Sequence, residues 1–159
     1  MPYKLTWEPI GLYREYFGRV SIAERRASFD AICGDRRFDD LRYAITDYLA
    51  VQTYEITKRA TAEIAAFHIA PLVTNPRIVI AAVTDRPEIV SAIQEFIAYR
   101  FIAAPYRIFP TLLEARLWIN DELRNMARSG GPRAGPSPGP GCWPPNAAHS
   151  VGQQSPKAP

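Results

Sequence analysis

Arg77-Ile-Val-Ile-Ala-Ala-Val-Thr84 is an unbroken apolar run between two polar ends. Its length and β-branched content fit a strand buried on both faces, because a strand with one wet face alternates apolar and polar side chains. It is the best candidate for the centre of a sheet. Downstream, Asp85-Arg-Pro87 marks a helix start with Pro87 at the first helical position, and Ile89, Val90, Ile93, Ile97 and Phe101 follow at helical spacing. Tyr106 to Phe109 reads as a short last strand. Thr111-Leu-Leu-Glu114 has capping-box spacing, and Leu112, Ala115, Ile119 and Leu123 carry a final helix to about Met126.

Upstream, Tyr3, Leu5 and Trp7, then Leu12, Tyr13, Tyr16 and Val20, alternate with polar residues around Glu8-Pro-Ile-Gly11 as two strands joined by a tight turn do. Ser21-Ile-Ala-Glu24 is a second capping box, and Ile22, Ala23, Ala27, Ala31 and Ile32 form a helical stripe that stops at Gly34. Asp35-Arg-Arg-Phe-Asp-Asp40 reads as a charged loop, and Leu41 to Leu49 as a strand. From Thr57, Ala60, Ile64 and Phe67 mark a helix ended by Pro71 or by Asn75-Pro76. The expected fold is α/β, with a mixed, mostly parallel sheet of about five strands and four helices in the order β-β-α-β-α-β-α-β-α.

A chain of 159 residues, 47% of them hydrophobic, is long enough for one domain with its own core. After Met126 the composition changes to Ser129-Gly-Gly-Pro-Arg-Ala-Gly-Pro-Ser-Pro-Gly-Pro-Gly-Cys-Trp, which has almost nothing to bury. The expected division is a domain over 1–126 and a disordered Pro/Gly-rich tail over 127–159. Residues 129–159 carry Arg133 and Lys157 and no acid, so 17 basic residues face 16 acidic ones over 1–128, a net charge of +1. That balance has no dense basic stripe for a phosphate backbone, so nucleic acid is not an expected partner.

Cys33 and Cys142, one in each part, form neither a disulfide framework nor a metal-ligand spacing. Met1-Pro-Tyr-Lys-Leu-Thr-Trp lacks the basic start and apolar run of a signal peptide, and no stretch reaches the roughly 18 apolar residues that span a bilayer. A cytoplasmic protein without membrane insertion is expected.

The loop Gly34-Asp-Arg-Arg-Phe-Asp-Asp-Leu-Arg-Tyr43 leads into a strand ending at Thr46-Asp47. Tyr-x-Leu-x-Trp-Glu-Pro opens the chain, and Asn75-Pro-Arg-Ile-Val-Ile precedes the central strand. With the element order, these features resemble the SpoIIAA-like branch of the STAS, or anti-anti-sigma factor, superfamily, often grouped with Sec14-like lipid-binding domains, over about residues 3–120. The resemblance implies a non-catalytic regulatory or protein-interaction module, with a protein partner that includes a second copy of itself. Its Sec14-like side implies the alternative, a carrier or sensor of a small apolar ligand or lipid.

Phosphorylation-switched relatives carry a run like Asp-Ser-Ser-Gly after the strand-terminal aspartate. Laid on Asp47, that run falls on Glu55-Ile-Thr57-Lys, which leaves Thr57 as the one hydroxyl and puts a lysine where the glycine would be. Thr57 is then either a phosphoacceptor at a helix amino terminus or simply the cap of that helix.

His68 and His149 are the only histidines, so neither a two-histidine metal site nor a Ser-His-Asp arrangement assembles readily. His68 and Cys33 read as packing residues, and Asp39-Asp40 as a solvated loop pair. No cofactor, metal or catalytic set is expected. Phe96, Tyr99 and Phe101 widen the stripe of the helix that starts at Pro87. Ile93, Phe96, Ile97 and Phe101 therefore form a dimer contact, cover an apolar ligand pocket, or fill a bulky one-sided core.

Overall fold

The computed structural model describes residues 1–99 and 104–129. Phe101 and the tail beyond Ser129 lie outside them. The described elements follow the expected order: β1 (Tyr3–Glu8), β2 (Gly11–Ser21), α1 (Ile22–Cys33), β3 (Tyr43–Glu55), α2 (Lys58–Thr74), β4 (Val79–Val83), α3 (Pro87–Ala98), β5 (Tyr106–Phe109) and α4 (Leu112–Ser129). The protein is an α/β fold with a five-stranded mixed sheet, antiparallel at β1–β2 and parallel elsewhere. No helix among the described residues is long and apolar enough to cross a membrane.

Strand order in space equals strand order in sequence. Parallel crossovers are right-handed, so three successive crossovers that all step the same way place α1, α2 and α3 on one face. The opposite face is left to α4, which packs Ala115 and Ile119 on Ile45, Val79, Ala81 and Val83. The run expected at the centre of the sheet is the fourth strand rather than the third. It reads as fully apolar because β4 is buried on both faces, by α4 behind and by the three crossover helices in front.

β3 is the larger departure. It was expected to end at Leu49 before a loop, yet it continues to Glu55 as a ribbon with β2. The alternation fails there because two bulges each add one residue to β3, where Glu15/Phe17 pairs with Asp47/Ala50 and Gly18/Arg19 with Val51/Thr53. Tyr48, Val51 and Tyr54 consequently share the crossover-helix face at intervals of three instead of two. Gly18, at φ 65° beside the second bulge, supplies a backbone state that other residues adopt at a cost. α2 runs through Pro71 to Thr74, and the buried side chain of Asn75 closes it by donating to the carbonyls of Phe38 and Leu41, each at 2.9 Å. The charged loop forms a 3-10 turn, Arg36–Asp40, that buries Phe38. α4 extends three residues past its expected end at Met126.

One close approach ties the hairpin to α4. The Tyr43 ring lies over its cross-strand partner Gly11, where a Cβ would meet a ring atom at 2.1 Å. The Tyr43 hydroxyl donates to Glu8, whose carboxylate also takes two hydrogen bonds from Arg116 of α4, at 2.8 and 3.1 Å. Arg116, through those bonds, holds the Glu8 carboxyl below its usual range. Gly11→Ala is expected to displace the ring and cost about 1–3 kcal/mol in denaturant unfolding. In a Tyr43→Ala background the same substitution should cost under about 1 kcal/mol, since the clash is gone.

Candidate functional site

The inner face of α1 is not the alanine stripe that its sequence suggests. Ala23, Ala27 and Ala31 are exposed, while Arg25, Ser28 and Ile32 are buried. The reason lies on the strand below. Alternation along β2 points Leu12, Arg14 and Tyr16 at the crossover helices, and a buried arginine demands polar neighbours. Arg14 Nη2 donates to Thr46 Oγ1 on β3 at 2.9 Å, across the register pair Arg14–Thr46. Its Nη1 donates to Ser28 Oγ at 3.2 Å. Ser28 gives its one proton to the Arg25 carbonyl at 3.0 Å, so it accepts from both Arg14 and the Tyr16 hydroxyl.

Arg25 completes the cluster without an anion. Its guanidinium lies 5.8 Å from the Tyr16 ring centre and 5.6 Å from that of Tyr48, and Arg14 sits 5.2 Å from the same Tyr16 ring. Tyr16 and Tyr48 stack at 5.3 Å. Both arginines are only 8% exposed, and among the described residues neither forms an ion pair. Burying a lone cation costs several kcal/mol, against about 0.5–2 kcal/mol returned by each ring contact. Desolvation lowers the Arg14 pKa, with the like charge of Arg25 acting in the same direction, yet a guanidinium begins so high that it stays charged. Among the described residues, three buried side-chain polar atoms lack a partner: Arg14 Nε, Arg25 Nη1 and the Tyr48 hydroxyl. All three belong to this cluster.

The cluster borders a cavity between the sheet and α1, α2 and α3. Arg14, Arg25 and Thr46 stand on its wall, and most of the remaining wall is apolar, including Leu12, Ile32 and Ile80. Room for water-sized molecules totals about 50 Å³, enough for about three or four waters. A shallower surface concavity at Cys33, Ala70 and Thr74 shares Phe38 and Pro71 with the cavity wall. The two spaces thus share side chains beside the last turn of α2, where Pro71 offers no N–H to the carbonyl of Phe67.

His68 closes the cavity from α2. Its ring stacks on Phe29 at 3.9 Å and meets the edge of Phe96 at 5.1 Å, and Nδ1 donates to the Ile64 carbonyl at 2.7 Å. Loss of hydration holds its pKa down to about 3, so the ring is neutral and Nε2 is left as an acceptor. Cys33 remains a thiol, because burial, followed by the nearby Asp30 carboxylate, pushes it up to about 11.

The expected switch residues do not come together. Asp47 lies inside β3 rather than at its end, with Oδ2 accepting from the Tyr13 hydroxyl at 2.7 Å and Oδ1 from the Leu49 amide at 2.9 Å. The eight residues from Asp47 to Glu55 span roughly 26 Å of extended chain before the helix begins. Thr57 is exposed and caps α2, accepting from the Ala60 amide at 3.2 Å. On α3, Ile93 is buried against Tyr16 and Tyr48, so it offers no surface to a second chain. Phe96 is buried too and stands in the cavity wall, and the partly buried Ile97 bridges the two adjoining core clusters. The arginines that form the site were not singled out in the sequence. The available signal was Arg14 on the apolar phase of an alternating strand.

The chain matches no known protein-family model, and no curated protein is significantly similar to it.

The neutral ring of His68 generates a pH prediction. Its folded pKa lies below the unfolded value near 6.5, so stability is full above pH 6.5 and is lost as pH falls from there toward 3. His68→Phe removes that loss while retaining the ring contacts. Between pH 7.5 and pH 5 the wild type should lose up to about 2 kcal/mol relative to the variant in paired urea titrations. A pH-independent difference would place the charged ring inside the fold. Separately, Thr57→Ala should cost about 1 kcal/mol through loss of the cap.

Proposed function

We propose that this protein is a non-catalytic regulatory module that responds to a small, mainly apolar molecule held in the cavity between the sheet and its three crossover helices. The observation that carries this is the coincidence of an apolar cavity with two of the three partnerless buried side-chain polar atoms of the described residues, Arg14 Nε and Arg25 Nη1. Ligand sites combine apolar walls with a few convergent polar groups, and a core built only for stability leaves few of them unsatisfied and does not gather them at one cavity. The present volume favours a small molecule over a lipid. A cavity of about 150 Å³ holds benzene, and this one is a third of that size.

A regulatory role is favoured over catalysis by the state of the reactive groups: Cys33 is held as a thiol and His68 has one ring nitrogen committed to a backbone carbonyl. The kinship with SpoIIAA-like proteins, a cytoplasmic location and a protein partner, a second copy included, are parts of the same proposal. Tyr16 and Tyr48 back directly onto Phe17 and Leu49, which are 42% and 45% exposed on adjacent strands. A partner seated there would lie one peptide step from the two rings on which Arg14 and Arg25 rest.

Native mass spectrometry of the full chain is expected to show a reproducible adduct of small-molecule mass. Ala44→Leu, which fills the cavity wall, should abolish it while leaving the circular dichroism spectrum unchanged. If no adduct forms and no apolar small molecule raises Tm, the cavity is merely a packing defect and the proposal fails.

A further inference from the structure

The cluster contains a charge imbalance that the apolar part of the cavity does not explain. Two guanidiniums lean on one tyrosine ring, both nine-tenths buried, and no carboxylate among the described residues reaches either. Each retains a buried N–H-bearing nitrogen without an acceptor, Nε on Arg14 and Nη1 on Arg25. Both residues line the cavity. The two unpartnered groups on this wall are therefore both donors and both cationic.

We propose that the cavity is a carboxylate site, in which Arg14 and Arg25 hold the head group of a small monocarboxylate whose short apolar body lies against Leu12, Ile32, Leu41 and Ile80. This rests on the ligand-binding function proposed above and names its ligand class. A carboxylate brings acceptors only, matches guanidinium N–H groups through charge-assisted hydrogen bonds, and supplies the missing negative charge. Its hydrocarbon body suits the rest of the wall. Inorganic phosphate would face those same aliphatic side chains with most of its oxygens unpaired, and an alcohol or amide would leave the two cations uncompensated. The space, with room for about three or four water-sized groups, limits the ligand to the size of acetate or propionate.

The test uses the full chain, with calorimetry and thermal unfolding against acetate, propionate, butyrate and hexanoate, the alcohols matching each, and inorganic phosphate. Acetate or propionate should bind at least about tenfold more tightly than its matching alcohol and more tightly than hexanoate, because only the acid satisfies the buried charges and only a short one fits the space. The Nε–Hε resonance of Arg14 should move on addition of the acid, a readout that needs no variant. Arg25→Met, which keeps the volume and removes one cation, should be as stable as the wild type or more so and should lose the preference for acid over alcohol. Acids and alcohols binding equally would overturn the carboxylate assignment and leave the cavity as a ligand site. Phosphate binding in preference to every acid would do the same. No binding by any of them, with Arg14 unmoved, would overturn both the assignment and the function on which it rests.

Discussion

The handedness of parallel crossovers governs the architecture. Because each strand from β2 onward is laid beside its predecessor on the same side, the rule that such connections turn right forces α1, α2 and α3 onto a single face. A sheet wound in one direction has no point where strand order reverses, and so lacks the crevice in which many α/β proteins bind ligands at the carboxyl ends of strands. Any internal site has to be made between the sheet and its helices. Here that space opens where α1 and α2 meet the sheet over β2 and β3, with Arg14 beneath and Arg25 above.

The two arginines set the energetic terms of that space. Ring contacts with Tyr16 and Tyr48 and hydrogen bonds to Ser28 and Thr46 offset part of the cost of burying them, yet each guanidinium has more donors than the fold can occupy. Folding therefore draws on the other face and on the periphery. α4 packs apolar side chains on β3 and β4, the Glu8–Tyr43–Arg116 bridge fastens it to the hairpin, and Asn75 ties the end of α2 to the 3-10 turn. The stable parts of the molecule surround the unsatisfied one.

Much of the fold was legible because its elements announce themselves locally. The capping box at Ser21–Glu24 forms, the Thr111 hydroxyl accepts from the Glu114 amide at the start of α4, Pro87 opens α3, and the fully apolar run Val79–Val83 is a doubly buried strand. What could not be read is whatever breaks a period for a tertiary reason. Bulges turn the spacing of two into three along β3, so Val51 and Tyr54, which continue the face of Tyr48, read as a loop after Leu49. In α1 the hydrophobic count selected the alanine face, because burial of Arg25 and Ser28 makes sense only once Arg14 lies beneath them. The candidate site was missed for the same cause: rules that assign charged residues to solvent exclude, by construction, the positions where a protein buries them for use. Asp47 and Thr57 drew attention because they flank a segment mistaken for a loop, and the extended ribbon separates them.

That pattern of failure is itself informative about function. A sequence optimised for folding alone would place an aliphatic residue at position 14 and let α1 dock its alanines, giving a core free of desolvated charge. Local propensity and the buried face disagree at α1, and the disagreement is confined to the residues around one cavity. Conflicts between levels of this kind cost stability, and they persist where something other than stability is being maintained. The two unpaired guanidinium donors, the neutral histidine and Pro71 all line that same space. An acceptor-only, singly charged ligand resolves the conflict at its source, since it supplies in the bound state the partner that no described side chain provides.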